Sequence, residues 1–227
     1  MVKNSSTRDA VGLFLLRIRM PRIDDYENAR RIVVEKLSKE SFQETAERAG
    51  FETLCSKVLK IPFLDRLYRV DYPSFIFTDE RENSRQVPIQ EQVLILHYLS
   101  AENPAPITGT WVSYREISGA SFYYSAFVKR AIDPLKKVFG CKIEAFSETA
   151  RRLSGTVIHE GDTGFEFHVF PRVPIRLILW KGDDEFDPAA AIIFDRSIEY
   201  ILSPEDIAWL SGMLVYRLIS LYPFQCA

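Results

Sequence analysis

Glycine is scarce in this 227-residue chain, at ten residues, and histidine and cysteine are scarcer still, at three each. Each shortage removes a class of function. No GxGxxG, P-loop, HExxH, GxSxG or CxxC spacing occurs, so the close backbone approach that nucleotide phosphates require has few places to form. The zincin and α/β-hydrolase signatures are missing as well. The cysteines Cys55, Cys141 and Cys226 are odd in number and far apart; they give no disulfide framework and predict a reducing, cytoplasmic location. With 29 basic against 31 acidic residues and no basic stripe, the chain lacks the electrostatic footprint of a nucleic-acid binder. The apolar run Ala10–Leu16 ends at Arg17 without a small-residue cleavage site. It is too short to span a bilayer, so no membrane partner is expected.

What is present is enough apolar residue, 47%, for one substantial core. Residues 1–21 read as an extension, a disordered leader or a first strand, that the fold does not need. Residues 22–227 read as a single α+β domain. In it a mixed, largely antiparallel sheet packs on several helices, and a small helix-plus-hairpin part spans 22–78. The charged stretch DERENSRQV, 79–87, connects this part to the main helical and sheet part, 87–223.

Periodicity predicts helices over 24–39 and 41–49, the second closed by Gly50, followed by a small antiparallel sheet with a turn at Asp65 and Arg66. A helix over 88–100 carries VLILHYL and is apolar on nearly every side, hence buried. A helical turn follows at 113–117. An aromatic-rich helix over 121–139 is kinked by Pro134 and another, over 144–153, stops at Gly155. Residues 156–195 form the main sheet, with Phe165, Phe167 and Val169 on one face and Glu166, His168 and Phe170 on the other. Ser203, Pro204 and Asp206 spell a helix N-cap, Pro-N1 and a box-like S-x-x-D ahead of a long apolar helix. That helix belongs either in the core or in a homodimer interface.

Chemistry has few places to sit. His97, on the buried helix, is either a satisfied core histidine or a ligand facing an apolar pocket. A hairpin centred on Asp162 and Thr163 sets His159 opposite Glu166 with His168 on the same face, the elements of a mononuclear metal site or simply a solvated sheet face. The loop after Trp180 holds Asp183, Asp184, Glu185 and Asp187, with Asp195 further on. These are candidate oxygen ligands for a hard cation, or a solvated turn with Arg172 and Arg176 as partners. Between Trp111 and Phe139 aromatic residues are dense. Tyr123 and Tyr124 are adjacent and cannot both point inward, so one phenol faces a cleft, a loop or solvent.

Three blocks carry a resemblance: VPIQEQVLILHYL at Val87–Leu99, PITGTWVSYREISG at Pro106–Gly119 with Tyr123 and Phe127 beyond, and FPRVPIRLILWKGDDEFDPAAAIIFD at Phe170–Asp195. They resemble the family catalogued as domain of unknown function 3786, over about residues 22–222. The resemblance implies no reaction. It implies a context of anaerobic bacteria and archaea, in which some similar proteins are joined to an iron–sulfur domain like that of corrinoid iron–sulfur proteins. No cysteine cluster is present here, so any cluster would come from a partner. The family's block residues fall on His97, Trp111, Arg115, Glu116, Arg172, Trp180, Asp183, Asp184, Glu185 and Asp195.

Residues and resemblance together lead to three expectations. The first is an accessory protein that binds a corrinoid or other tetrapyrrole, or docks on a corrinoid or iron–sulfur protein, through His97, Trp111, Tyr114, Arg115, Tyr123, Tyr124, Arg172 and Trp180. The second is a divalent-metal enzyme using Asp183, Asp184 and Asp195, or the His159/Glu166/His168 face. The third is an interaction subunit without ligand.

Overall fold

The structure, a computed structural model, describes residues 23–54 and 57–222. The extension 1–21 with its apolar run, together with Cys55 and Cys226, lies outside the described residues. Helices α1 (Ile23–Leu37) and α2 (Phe42–Ala49) open the chain. Asp24 and Asp25 sit in the first turn of α1 and Lys36 in its last, each complementing the helix dipole. Helix α2 closes on Gly50, whose φ of +72° lets its N–H reach the Ala46 carbonyl at 2.9 Å.

Strands β1 (Glu52–Leu54), β2 (Val58–Phe63), β3 (Arg66–Asp71) and β4 (Ile76–Asp79) form an antiparallel sheet in sequence order. Helix α3 (Ile89–Leu99) follows and packs against α1, where Arg30 donates to Gln92 Oε1 at 2.8 Å and to the Phe75 carbonyl at 2.7 Å.

The second sheet contains β5 (Trp111–Ser113), β6 (Thr156–Ile158), β7 (Thr163–Phe170), β8 (Val173–Trp180) and β9 (Ala189–Asp195) in the order β5-β9-β8-β7-β6, again antiparallel throughout. Val112, Phe194, Ile175 and Phe167 lie in one row across it and are all buried. Phe127 of α4 (Tyr124–Phe127) meets Phe194, helices α5 (Asp133–Phe139) and α6 (Ile143–Arg152) contact this sheet, and α7 (Pro204–Leu221) packs on α4, α5 and α6. The fold is α+β as its periodicities predict. The alternation along β7 departs from the expected one at its end: a bulge between His168 and Phe170 turns Phe170 inward, where it stacks on Tyr98 at 4.3 Å and meets Phe51 and Phe63. That aromatic group joins the two sheets.

Pro134 acts more subtly than a kink. Between α4 and α5 the rod widens into a π-helical turn, Val128–Ile132. Proline has no N–H to give back to residue 130 and its ring crowds that carbonyl, so the ladder is re-spaced there. Helix α7 crosses at this turn through Gly212, where a Cβ would stand 3.3 Å from Arg130 Cβ. Helix α7 itself begins as its sequence predicts: Ser203 Oγ accepts from the Asp206 N–H at 3.2 Å and Pro204 occupies the first turn. Ile207, Leu210, Leu214 and Leu218 are fully buried, so this helix is an internal support.

Candidate functional site

Where α1, α3 and the start of α7 meet, an open cleft of about 320 Å³ is lined by Tyr26, Val93, His97, Asp206 and Trp209, with Asp25, Ala29 and Glu205 completing the wall. Helix α3 is buried along most of its length. His97 is the place where its surface turns toward the cleft, and its side chain is 29% exposed.

The imidazole is held from behind. Its Nδ1 lies 2.9 Å from Asp206 Oδ1, while Asp206 Oδ2 accepts from Ser203 Oγ at 2.7 Å. Both carboxylate oxygens are therefore engaged, and among the described residues no hydrogen bond is made by His97 Nε2. The order Ser–Asp–His differs from a nucleophilic triad, where the hydroxyl must lie on the far nitrogen of the histidine. What the arrangement provides is an oriented imidazole whose outer nitrogen is available.

Burial alone would lower the His97 pKa, but the hydrogen bond and charge of Asp206, with Glu205 adding to them, outweigh it and raise the pKa above 6.5. A raised folded-state pKa means that the pair's stabilisation is fully present below about pH 6.5 and fades as pH rises through the higher folded value. Wild-type protein should therefore exceed His97→Gln in melting temperature by more at pH 5.5 than at pH 9. Equal gaps at the two pH values would remove the imidazolium from this account.

Two aromatic rings complete the cleft. Tyr26 meets Trp209 edge-on with centroids 5.9 Å apart, and Arg130 lies 4.3 Å over the Trp209 ring. The Tyr26 hydroxyl oxygen is buried and has no hydrogen-bond partner among the described residues. Burial pushes its pKa up to about 12 despite Arg130, with Glu205 and Asp206 adding to the rise.

Part of the predicted aromatic set lies beside this cleft. The Tyr114 hydroxyl donates to the Pro204 carbonyl at 2.7 Å while its ring stacks on Phe127 at 4.2 Å. Burial, with the nearby Glu205 carboxylate adding to it, raises the Tyr123 phenol above its usual range, and Arg115 lies 4.0 Å over the ring of Tyr124. These residues brace the start of α7. Both adjacent tyrosines are half-buried, packed against the core without entering it fully.

The rest of the set is elsewhere. Trp111 is on the opposite face of the second sheet, with the Arg176 guanidinium 3.7 Å over its ring. Its neighbour Val112 takes the core face, and strand alternation sends Trp111 the other way. Arg172 Nε donates to the Arg48 carbonyl at 3.0 Å, in the last turn of α2. Trp180 ends β8 and is 41% exposed.

The acidic residues are not gathered either. Asp183 Oδ1 accepts from the Glu185 and Phe186 N–H groups at 2.9 and 2.7 Å, which lowers its pKa and makes it a turn anchor. Trp180, just before that loop, pairs with Ala189, whereas Asp195 pairs with Trp111 at the other end of β9. Six residues of strand, about 20 Å, separate the two ends. Asp195 is fully buried and accepts from Thr108 N, Thr108 Oγ1, Gly109 N and Ser197 N. Its role is to anchor the 108–109 loop.

The register expected for the His159 hairpin is displaced by three residues: Thr156, and not His159, stands opposite Glu166, and Ile158 opposite Gly164. The turn is longer than the one assumed, so His159 falls within it. Glu166 is held by His168 Nε2 at 3.2 Å and Arg176 Nε at 2.9 Å, and Arg176 also reaches Glu160 at 2.7 Å. This is a surface ion network. Among the described residues, no group of three or more histidine, cysteine or acidic side chains is placed to hold a metal ion.

Sequence reasoning singled out His97 but not the residues around it in the cleft. Asp206 was legible only as a helix cap, and Tyr26 and Trp209 only as periodic apolar positions. Nothing local shows that residues 97 and 206, distant in the chain, touch. Among the described residues no helix is long and apolar enough to cross a membrane. A family model described as a domain of unknown function (DUF3786) matches residues 41–217. No curated protein and no solved structure matches the chain.

Proposed function

The chain belongs to the DUF3786 family, and on that footing we propose that it is an accessory binding protein whose working atom is His97 Nε2. In this reading the cleft offers that nitrogen to the metal of a corrinoid or other tetrapyrrole, free or carried by a partner protein. One observation carries the reading: the imidazole is fixed through Nδ1 by Asp206 at 2.9 Å while Nε2 has no bond among the described residues at the wall of an open cleft. A carboxylate behind a histidine sets its tautomer and strengthens it as a donor to a metal.

The dimensions limit how such a group is accommodated. At about 320 Å³ the cleft is at the small end of ligand pockets, which run from about 300 to 1,000 Å³. It would take only part of such a group, with His97 as the residue that would hold the metal and Tyr26 and Trp209 as the walls beside it. When bound, the metal supplies the electrophilic centre. The protein holds the donor, keeps Nε2 oriented and braces the start of α7 through Tyr114 and Tyr123.

The test is an ultraviolet-visible titration, without oxygen, with a cobalamin and with a haem. A saturable spectral change is expected, weakened at least about tenfold by His97→Ala, which at about 1.4 kcal/mol is a modest share of a ligand bond. Trp111→Ala should leave it unchanged, because Trp111 is on the other face of the second sheet. A response that survives His97→Ala, or none at all, overturns the reading.

A further inference from the structure

A second cleft, of about 430 Å³, opens along the later turns of α7 and is lined by Arg66, Arg85, Glu91, Arg217, Met213 and Tyr216. Trp209 and Arg217 are about 12 Å apart along the helix, so this cleft is distinct from that of His97. Its three guanidinium groups come from different parts of the chain: Arg66 from β3, Arg85 from the stretch before α3, and Arg217 from α7. Carboxylates hold two of them in place. Arg66 Nη1 donates to Asp79 Oδ2 at 2.9 Å, and Arg217 donates to Asp65 at 2.5 Å and to Glu91 at 3.4 Å. Arg66 Nε and Nη2 and Arg217 Nε make no hydrogen bond among the described residues, and none of these atoms is sealed from solvent. A guanidinium carries five N–H donors in a fixed fork, so a pair made on one edge leaves the other edge open. Glu82 marks where an anion already sits. Its Oε2 lies 3.8 Å from Arg66 Nη1 and 3.7 Å from Arg85 Nη1, between two cations and too far from either for a hydrogen bond. The Glu82 side chain is 54% exposed, and charge alone holds it there.

We infer that this cleft binds a phosphate monoester, whose oxygens displace Glu82 from between Arg66 and Arg85 and take Arg217 as a third donor. The organic body of the ester lies against Met213 and the exposed ring of Tyr216. The choice of phosphate follows from the donors. Guanidinium forks presented from three parts of the chain suit a tetrahedral group with three terminal oxygens, whereas a carboxylate has two oxygens, which a single fork satisfies. Asp65, Asp79 and Glu91 keep their arginine partners and remain as the frame of the site, so Glu82 is the carboxylate that the ligand replaces. These acids offset the arginines at a distance. Attraction is therefore short-ranged, and affinity comes from hydrogen bonds made at contact rather than from steering. The inference stands apart from the tetrapyrrole reading and shares no residue with it.

The experiment titrates phenyl phosphate into ¹⁵N-labelled full-length protein at low ionic strength and reads the Nε–H resonances of Arg66 and Arg217. A saturable shift is expected in roughly the millimolar range of so small a ligand, with none from sodium chloride at the same ionic strength. Benzoate, which keeps the ring and offers two oxygens, should bind more weakly. Arg85→Ala should weaken phenyl phosphate by about fivefold and leave the melting temperature unchanged, because the only ion pair of Arg85 is the long one to Glu82. Glu82→Gln should act in the opposite direction and tighten binding by about threefold, since it removes the competing charge. A purely structural role for Glu82 would not produce that gain. No saturable shift, parity of benzoate with phenyl phosphate, indifference to Arg85→Ala, or a Glu82→Gln variant that binds no tighter than the wild type would each overturn the inference.

Discussion

Replacing Asp195 with alanine is expected to lower the melting temperature by about 6–12 °C, the effect of roughly 3 kcal/mol in a protein of this size. The carboxylate is fully buried and accepts from the backbone of Thr108, Gly109 and Ser197 and from the Thr108 hydroxyl. Truncation orphans these donors where water has little access, and each unmet donor costs about 1–3 kcal/mol. Asparagine keeps one acceptor oxygen and should lose about half as much. A thermal melt followed by circular dichroism reads the difference.

The same residue should appear in the acid limb of the stability curve. Burial by itself would raise the Asp195 carboxyl, but the hydrogen bonds from Thr108 and Ser197 prevail and hold it at about 2, below the usual aspartate value of 3.8. A folded pKa below the unfolded one means that the contribution is complete above about pH 4 and is lost as pH falls toward 2. Asp195→Ala should therefore flatten that limb. A variant that melts with the wild type, or keeps the same acid dependence, would return Asp195 to the pool of candidate ligands.

Glu91→Ala is expected to cost about 2–4 kcal/mol in urea denaturation. Glu91 sits on buried α3 and accepts from the Tyr68 hydroxyl of β3 and from Arg217 Nη2 of α7 at 3.4 Å. Arg217 also donates to Asp65 at 2.5 Å, in the turn between β2 and β3. One carboxylate thus ties the first sheet, the central helix and the last helix together. Burial, followed by the bond and charge of Glu91, pushes the Tyr68 phenol well above its usual range, so the hydroxyl stays a donor that needs its acceptor. Removing Glu91 leaves Tyr68 unpaired and Arg217 with only Asp65. Glu91→Gln retains the acceptor for Tyr68 and should cost less than half as much. Equal losses for the two variants would indicate that charge and not the hydrogen bond governs this site.

How far the sequence carried these conclusions depends on the range of the interaction concerned. Short-range signals were accurate. Gly50 closes α2 with a positive φ, Ser203 and Pro204 start α7, and VLILHYL is the buried helix that its composition predicts. Pairing across turns was less secure, because side-chain facing in a strand depends on a count that one misplaced turn residue upsets. The three-residue displacement at Thr156–Glu166 and the bulge at Phe170 are both failures of that kind. The candidate site is the least local feature. His97 and Asp206 are joined by tertiary packing of α3 against the start of α7, and no spacing rule connects them. Aromatic density between Trp111 and Phe127 pointed to a single pocket, yet strand alternation at β5 divides it, sending Trp111 to one face and Tyr114 to the other.

The double duty of Asp206 has a kinetic meaning. One of its oxygens belongs to the cap of α7 and the other to His97, so the first turn of a helix and the aim of an imidazole share a single degree of freedom. Fraying of α7 at Ser203 would release the imidazole, and anything that grips Nε2 would in turn quiet the helix end. Amide exchange at the start of α7 is therefore a clock for the cleft.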